Sequence, residues 1–162
     1  ENGEILIRGE RVIEQYMGLP PCADDGWLPT GDIGCLTSDG FLTVVDRKKD
    51  MLIVAGFNVY PSEIEEVISQ VPEVTDVAVI SVPDDRKGEV PFAFVATDQG
   101  AGITEETLLN HCAEHLTHYK IPRAIVLLDE LPKTPARKPD KKRLEKLARD
   151  FLRKQGNKTT AK

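Results

Sequence analysis

The chain lacks a cysteine framework: Cys22, Cys35 and Cys112 are its only three, and they are scattered. Three isolated thiols exclude a disulfide scaffold, the absence of a CxxC pair excludes a thiolate metal knot, and the usage suits a reducing cytoplasm. No apolar run reaches the roughly 18 residues that a bilayer-spanning helix needs, so a hydrophobic transmembrane segment is excluded. No signal peptide is visible in these residues, and the chain opens on Glu1-Asn2-Gly3-Glu4 rather than Met. It reads as a piece cut from a longer polypeptide. Positive charge is scarce over most of the length: residues 1–132 carry a net −15, whereas residues 133–162 carry twelve Lys or Arg against Asp140, Glu145 and Asp150. A basic tail of this kind suits an anionic membrane, a nucleic acid or a phosphorylated ligand, and a solvated helix face accounts for it equally.

What is present is an ordinary globular composition, 40% hydrophobic and 30% charged over 162 residues, enough for one domain or one and a half. Residues 4–8 alternate like a strand. Residues 18–34, rich in Gly, Pro and Asp, read as loop around a short extended piece at 27–30. Ser38-Asp39-Gly40 is a tight turn from which residues 41–45 leave as a strand. Residues 51–55 and 57–59 are short strands around Gly56. Ser62 then caps a helix, with Glu65 as its capping-box partner and Ile64, Val67 and Ile68 as its apolar stripe.

Further on, residues 74–82 and 90–96 read as strands around a polar loop at 83–88. Thr104 caps a helix carrying Leu108, Leu109, Cys112 and Leu116. Residues 124–128 are a further strand, and a last helix covers 141–152. The order predicts an α+β fold with a small sheet and helices packed on it.

The most informative stretch is residues 41–61, FLTVVDRKKDMLIVAGFNVYP. Its charge cluster, Asp46 to Asp50, lies between two apolar runs and cannot be buried, so it must be a solvated turn or connector. With Trp27-Leu28-Pro29-Thr30-Gly31-Asp32 upstream, the stretch closely resembles the hinge of the adenylate-forming enzymes, which include acyl-CoA synthetases, peptide-synthetase adenylation domains and beetle luciferases. It is most similar to the bacterial long-chain fatty-acyl-CoA synthetases, and the resemblance runs from about Gly3 to Leu147. It implies that residues 1–46 close a large AMP-binding domain and that residues 47–162 form the mobile C-terminal lid. The phosphate loop and acyl pocket of that family have no counterpart in this sequence. The partner so implied is the missing large domain, and the small molecules are ATP with Mg2+, CoA and a fatty acid. The implied location is the cytoplasm, with peripheral contact to an anionic membrane face through the basic tail and no specific nucleic acid.

The same resemblance assigns candidate residues. Asp32, in Thr30-Gly31-Asp32, would accept the two ribose hydroxyls of ATP and of the acyl-adenylate, although this tripeptide also makes ordinary turns. Arg47 matches the arginine that opens the hinge, near ribose and phosphate. Lys49 falls at the pivot, where a solvated side chain can follow large backbone changes. Gly56 would line the pantetheine tunnel, with an inter-strand bulge as the competing account. Ile53 and Asn58 stand where some relatives carry lysine and arginine, so the CoA phosphates must be met elsewhere.

In LPKTPARKPDKKRL, Lys138 matches the lysine that reaches into the active site, where a cation between attacking carboxylate and α-phosphate lowers the barrier. Arg137 replaces the usual Gly, at a cost of about 1 kcal/mol if the position requires positive φ. Pro139 replaces an aliphatic residue, and Lys133 and Lys141 are the substitute cations. The acid class rests on similarity alone, so an aryl acid, a medium-chain acid or an amino acid stays open, as does a non-catalytic anion- or membrane-binding module.

One motif points elsewhere. His111-Cys112-Ala113-Glu114-His115 fits the HxxEH pattern of inverted zinc peptidases. With no third ligand evident downstream, histidines on a half-exposed helix account for it, and no metal is assigned.

Overall fold

The computed structural model describes residues 2–13, 15–98 and 102–159, with side chains of the last helix described through Lys154. The end of the basic tail therefore lies outside the described residues. The chain divides into two compact units, Glu1–Met51 and Leu52–Lys162.

In the first unit, β1 (Gly3–Ile7), β2 (Leu28–Leu36) and β3 (Leu42–Arg47) form an antiparallel sheet with β2 in the middle. The expected tight turn closes β2 onto β3: Gly40 adopts φ +88°, and its amide donates to the Thr37 carbonyl at 3.0 Å. The loop expected over residues 18–34 is corrected, because strand begins at Leu28 and continues through Gly34 to Leu36. Pro29, Gly31 and Gly34 lower local strand propensity, but β2 has a paired neighbour on each edge, and those ladders override it. At Gly34 side-chain absence is required: a Cβ there would sit 2.7 Å from the Thr43 carbonyl oxygen and 2.8 Å from Ile5 Cδ1. Ile33 is the one core hydrophobic among this unit's described residues, while Leu36 and Phe41 are each 70% exposed. Taken by itself, the sheet has almost no core of its own.

The second unit has one. Here β4 (Leu52–Val54), β5 (Phe57–Val59), β6 (Val74–Asp84), β7 (Gly88–Thr97) and β8 (Ile125–Leu128) form a sheet in the order β5-β4-β7-β6, with β8 parallel to β7. Residues 90–96 of β7 are all buried, and since neighbours on a strand face opposite ways, the sheet is covered on both sides. The helices are α1 (Pro61–Ser69), α2 (Glu105–His115) and α3 (Lys141–Thr159), and the α+β expectation holds. Phe92, fully buried, sets its ring edge-on to Phe151 of α3. Among the described residues no helix is long and apolar enough to cross a membrane.

Two helix starts show how local signals fare. Thr104 caps α2 as expected, its hydroxyl accepting the Thr107 amide at 3.2 Å. At α1 the expectation is corrected: the N-cap is Tyr60 with Pro61 at N1, and the Glu65 carboxylate accepts the Val79 amide of β6 at 2.8 Å. Proline suits N1 because its missing N–H would be unsatisfied there anyway. The loop expected at 83–88 shrinks, since β6 and β7 pair through Asp84↔Gly88.

Candidate functional site

Asp32 and Arg47 meet in the first unit. They are register partners across β2 and β3, and Arg47 Nε lies 3.0 Å from Asp32 Oδ1. The backbone explains the presentation. Between the pairs Glu4↔Ile33 and Leu6↔Pro29, β2 has spare residues, so Thr30-Gly31-Asp32 bulges opposite Ile5. Gly31 takes φ +73°, and the Thr30 hydroxyl donates to the Ile5 carbonyl while accepting the Asp32 amide. A bulge turns a side chain out of the regular pleat. The Asp32 carboxylate keeps Oδ2 for further donors, such as vicinal hydroxyls.

The charged connector is solvated, as expected. Arg47 ends β3, and Lys48–Asp50 make one 3-10 turn. Lys48 pairs with Glu4 at 2.6 Å, whereas the exposed Lys49 side chain forms no hydrogen bond or ion pair among the described residues.

Gly56 is in a hairpin turn, not a bulge. Val54↔Phe57 closes a two-residue loop in which Ala55 has φ +50° and Gly56 φ +89°, the type I′ geometry that matches strand twist. The Ala55 amide donates to the Lys87 carbonyl at 2.9 Å. Nothing lies within 4 Å of where a Gly56 Cβ would be, so its outer face is open. Beside it Phe57, 55% exposed, stacks on Tyr119 at 4.7 Å between ring centroids.

Residue-by-residue reading missed a neighbouring cleft of about 380 Å³, lined by Asp84, Lys87, Val90, His118, Ile121, Pro122 and Arg123. Its charges come from segments that read only as a polar loop and a helix stop. Asp84 is organised by the Arg86 and Lys87 amides, both at 3.0 Å, and these bonds hold its carboxyl below the usual value. Arg123 lies 3.4 Å from it.

Lys138 projects from a compact loop. Its carbonyl accepts from the Thr134 amide at 2.8 Å and hydroxyl at 3.2 Å, Lys133 bridges Pro139, and the Asp140 amide donates to the Pro132 carbonyl. Arg137 sits at φ +59°, so the position does require the left-handed region that glycine favours. The Lys138 side chain is exposed and makes no hydrogen bond or ion pair among the described residues. Lys133 is committed elsewhere: its ammonium lies 2.8 Å from Asp76, whose hydrogen bond and charge raise its pKa above the usual lysine value.

His111, Glu114 and His115 also converge, one potential ligand atom from each lying within 4.8 Å of the others. Both rings are already engaged through a nitrogen, His111 Nε2 with the Val67 carbonyl at 3.0 Å and His115 Nδ1 with the His111 carbonyl at 2.9 Å.

Residues 63–138 match the AMP-binding enzyme C-terminal domain. A long-chain-fatty-acid–CoA ligase of Yersinia pestis is 48% identical over 136 residues, 82% of this chain and 24% of the relative. A methyl-dioxo-octahydroindenyl-propanoyl:CoA ligase of Mycobacterium tuberculosis is 43% identical over 91% of this chain and 30% of the relative. The ATP-bound crystal structure of MatB from Rhodopseudomonas palustris superposes with a TM-score of 0.85 at 34% identity, covering 93% of this chain and 31% of that one. The chain thus spans about a quarter to a third of the length of these relatives.

Proposed function

Because this chain belongs to the AMP-binding enzymes, the adenylate-forming family whose C-terminal domain it carries, we propose that it supplies the mobile lid of an ATP-dependent long-chain fatty-acid–CoA ligase. The reaction has two steps. A carboxylate oxygen attacks the α-phosphorus of ATP, pyrophosphate leaves, and an acyl-adenylate forms. The CoA thiolate then attacks the acyl carbon, the acyl–phosphate bond breaks, and AMP leaves.

The observation that carries this reading is the contrast between two lysines on one loop. Lys133 is tied to Asp76, whereas the loop fixes Lys138 by its carbonyl and leaves its ammonium with no hydrogen bond or ion pair among the described residues. A cation carried by a hydrogen-bonded loop can stand between two anions and offset their repulsion. Asp32, oriented by Arg47, would take the ribose hydroxyls. Rotation about Lys49 would exchange the Lys138 loop for the Gly56 turn, so one small domain completes two sites in succession. CoA is strongly anionic, and Lys87 and His118 beside the Gly56 turn, with Arg123 if it leaves its 3.4 Å contact with Asp84, would offer the basic contacts that Ile53 and Asn58 lack.

Mg2+ takes oxygen ligands and substrate phosphates. Among the described residues the converging group is two imidazoles and a carboxylate, a poor match for a hard cation. The ion would arrive with ATP and be held by phosphate oxygens and by residues of the large domain. That domain, ATP, CoA and the fatty acid are the partners on this reading. Taken by itself, the first unit's sheet has almost no core, which suits continuation into the large domain. The working place is the cytoplasm or the inner face of the membrane.

The test is pyrophosphate release from Mg-ATP and palmitate. It is run on the full-length enzyme carrying this chain, on its Lys138→Ala variant, and on the chain alone, with benzoate and octanoate as competing acids. The full-length enzyme is expected to prefer palmitate. Lys138→Ala should lose adenylation while still converting preformed acyl-adenylate and CoA, and the chain alone should be silent. Unimpaired adenylation by Lys138→Ala would remove that lysine from the mechanism, and preference for another acid would reassign the substrate.

A further inference from the structure

The Gly56 turn is poorly anchored by backbone alone. β4 has three residues and meets β7 at one pair, Val54↔Gly88. In a two-residue hairpin the closing pair Val54↔Phe57 exchanges both ladder bonds, so the next residue, Ile53, directs its amide away from β5. Extending the β4–β7 pairing by one step would set Ile53 opposite Glu89. There the amide goes instead to the Glu89 side chain, with Oε2 accepting at 3.1 Å. The other oxygen, Oε1, accepts the Ser81 hydroxyl of β6 at 2.8 Å. One carboxylate therefore bridges β4 to β6 across β7. Without it, the backbone ties between β4 and the β6–β7 hairpin are those at the single Val54↔Gly88 pair, with the Ala55 amide on the Lys87 carbonyl beside it.

We propose that Glu89 is a positioning residue for thioester formation: it fixes the orientation of the β4–β5 hairpin, and with it the Gly56 turn along which the thiol must travel. This rests on the ligase reading above. Glu89 touches no substrate and acts through the Ile53 amide. The Lys138 loop has its own anchor, Lys133 to Asp76, so adenylation does not depend on Glu89.

Glu89→Ala and Glu89→Gln are compared in the full-length enzyme, with the two half-reactions assayed separately. A misplacement of about 1 Å at a reacting group costs about 100-fold. Glu89→Ala should therefore lower thioester formation by roughly 10- to 100-fold in kcat, with adenylation unchanged. Glu89→Gln keeps an oxygen for the Ile53 amide and an amide group for Ser81, and should restore most of the loss. Amide hydrogen exchange supplies a readout free of activity: Ile53 should exchange faster in Glu89→Ala and near the parent rate in Glu89→Gln. Equal losses in both half-reactions, or unchanged exchange at Ile53, would overturn the positioning role. A parent enzyme that exchanges normally at Ile53 yet forms no thioester from acyl-adenylate and CoA would instead overturn the ligase reading.

Discussion

Arg137→Gly should stabilise the protein, and the size of the gain follows from one torsion angle. Arg137 holds φ at +59° with its amide bonded to the Thr134 carbonyl at 2.9 Å. For a residue with a Cβ this region costs about 1–2 kcal/mol, while glycine gives back about 0.5–1 kcal/mol through its freer unfolded chain. The balance is a gain of up to about 1.5 kcal/mol, centred on about 0.75 kcal/mol. Electrostatics adds in the same direction, because the Arg137 charge opposes the Asp76 contact that raises the Lys133 pKa. Arg137→Ala is the control. It removes the same charge and stem but keeps the Cβ, so it should lack the torsional gain. Urea unfolding of all three proteins measures the difference, read as the shift in midpoint at constant slope. If glycine and alanine give equal midpoints, or glycine lowers the midpoint, the strain argument is wrong. The hydrogen bonds around Lys138 use backbone and Thr134, so adenylation should survive in both variants.

Gly34→Ala should destabilise the first unit by about 1–3 kcal/mol through overpacking, because its methyl would meet backbone at Thr43 and the Ile5 side chain. Gly3→Ala, with nothing within 4 Å, should change stability by less than about 0.5 kcal/mol; equal effects in thermal melts would refute the steric reading. Cys112 is fully buried, and desolvation raises its thiol from 9.0 to about 11. It stays protonated and covered at pH 8, so a disulfide reagent should label Cys22 and Cys35 in the folded protein and Cys112 only after unfolding. Labelling of Cys112 in the native state would contradict its placement in the core.

Signals that act within a few residues were legible in the chain. Ser38-Asp39-Gly40 made its turn and Thr104 made its cap, because a hydroxyl or a glycine torsion settles each of those locally. The charge cluster before Asp50 was solvated for the same kind of reason, since desolvating five charged groups has no compensation nearby. Arg137 was legible as a departure, and only its torsion angle turned the departure into a strain. The motif residues Asp32, Arg47, Lys49, Gly56 and Lys138 could be chosen from the sequence. How Asp32 is turned outward by a bulge, or why Lys138 and not Lys133 keeps an ammonium unpaired among the described residues, could not.

Those outcomes depend on partners far along the chain. β2 forms through Pro29, Gly31 and Gly34 because neighbours on both edges outweigh propensity. Glu65 abandons a local cap for the Val79 amide, fourteen residues away, and Glu89 reaches back thirty-six residues to Ile53. Lys87, His118 and Arg123 line one cleft only because β7 brings the ends of β6 and of the α2–β8 connection together. The sequence by itself determined the Ser38-Asp39-Gly40 turn, the Thr104 cap, the solvation of the charged connector and the family resemblance, the first three set by short-range sterics and hydration. Tertiary structure alone decided which carboxylates became anchors and which cations lack a partner among the described residues, because those choices are made by distances that exist only after the strands have paired.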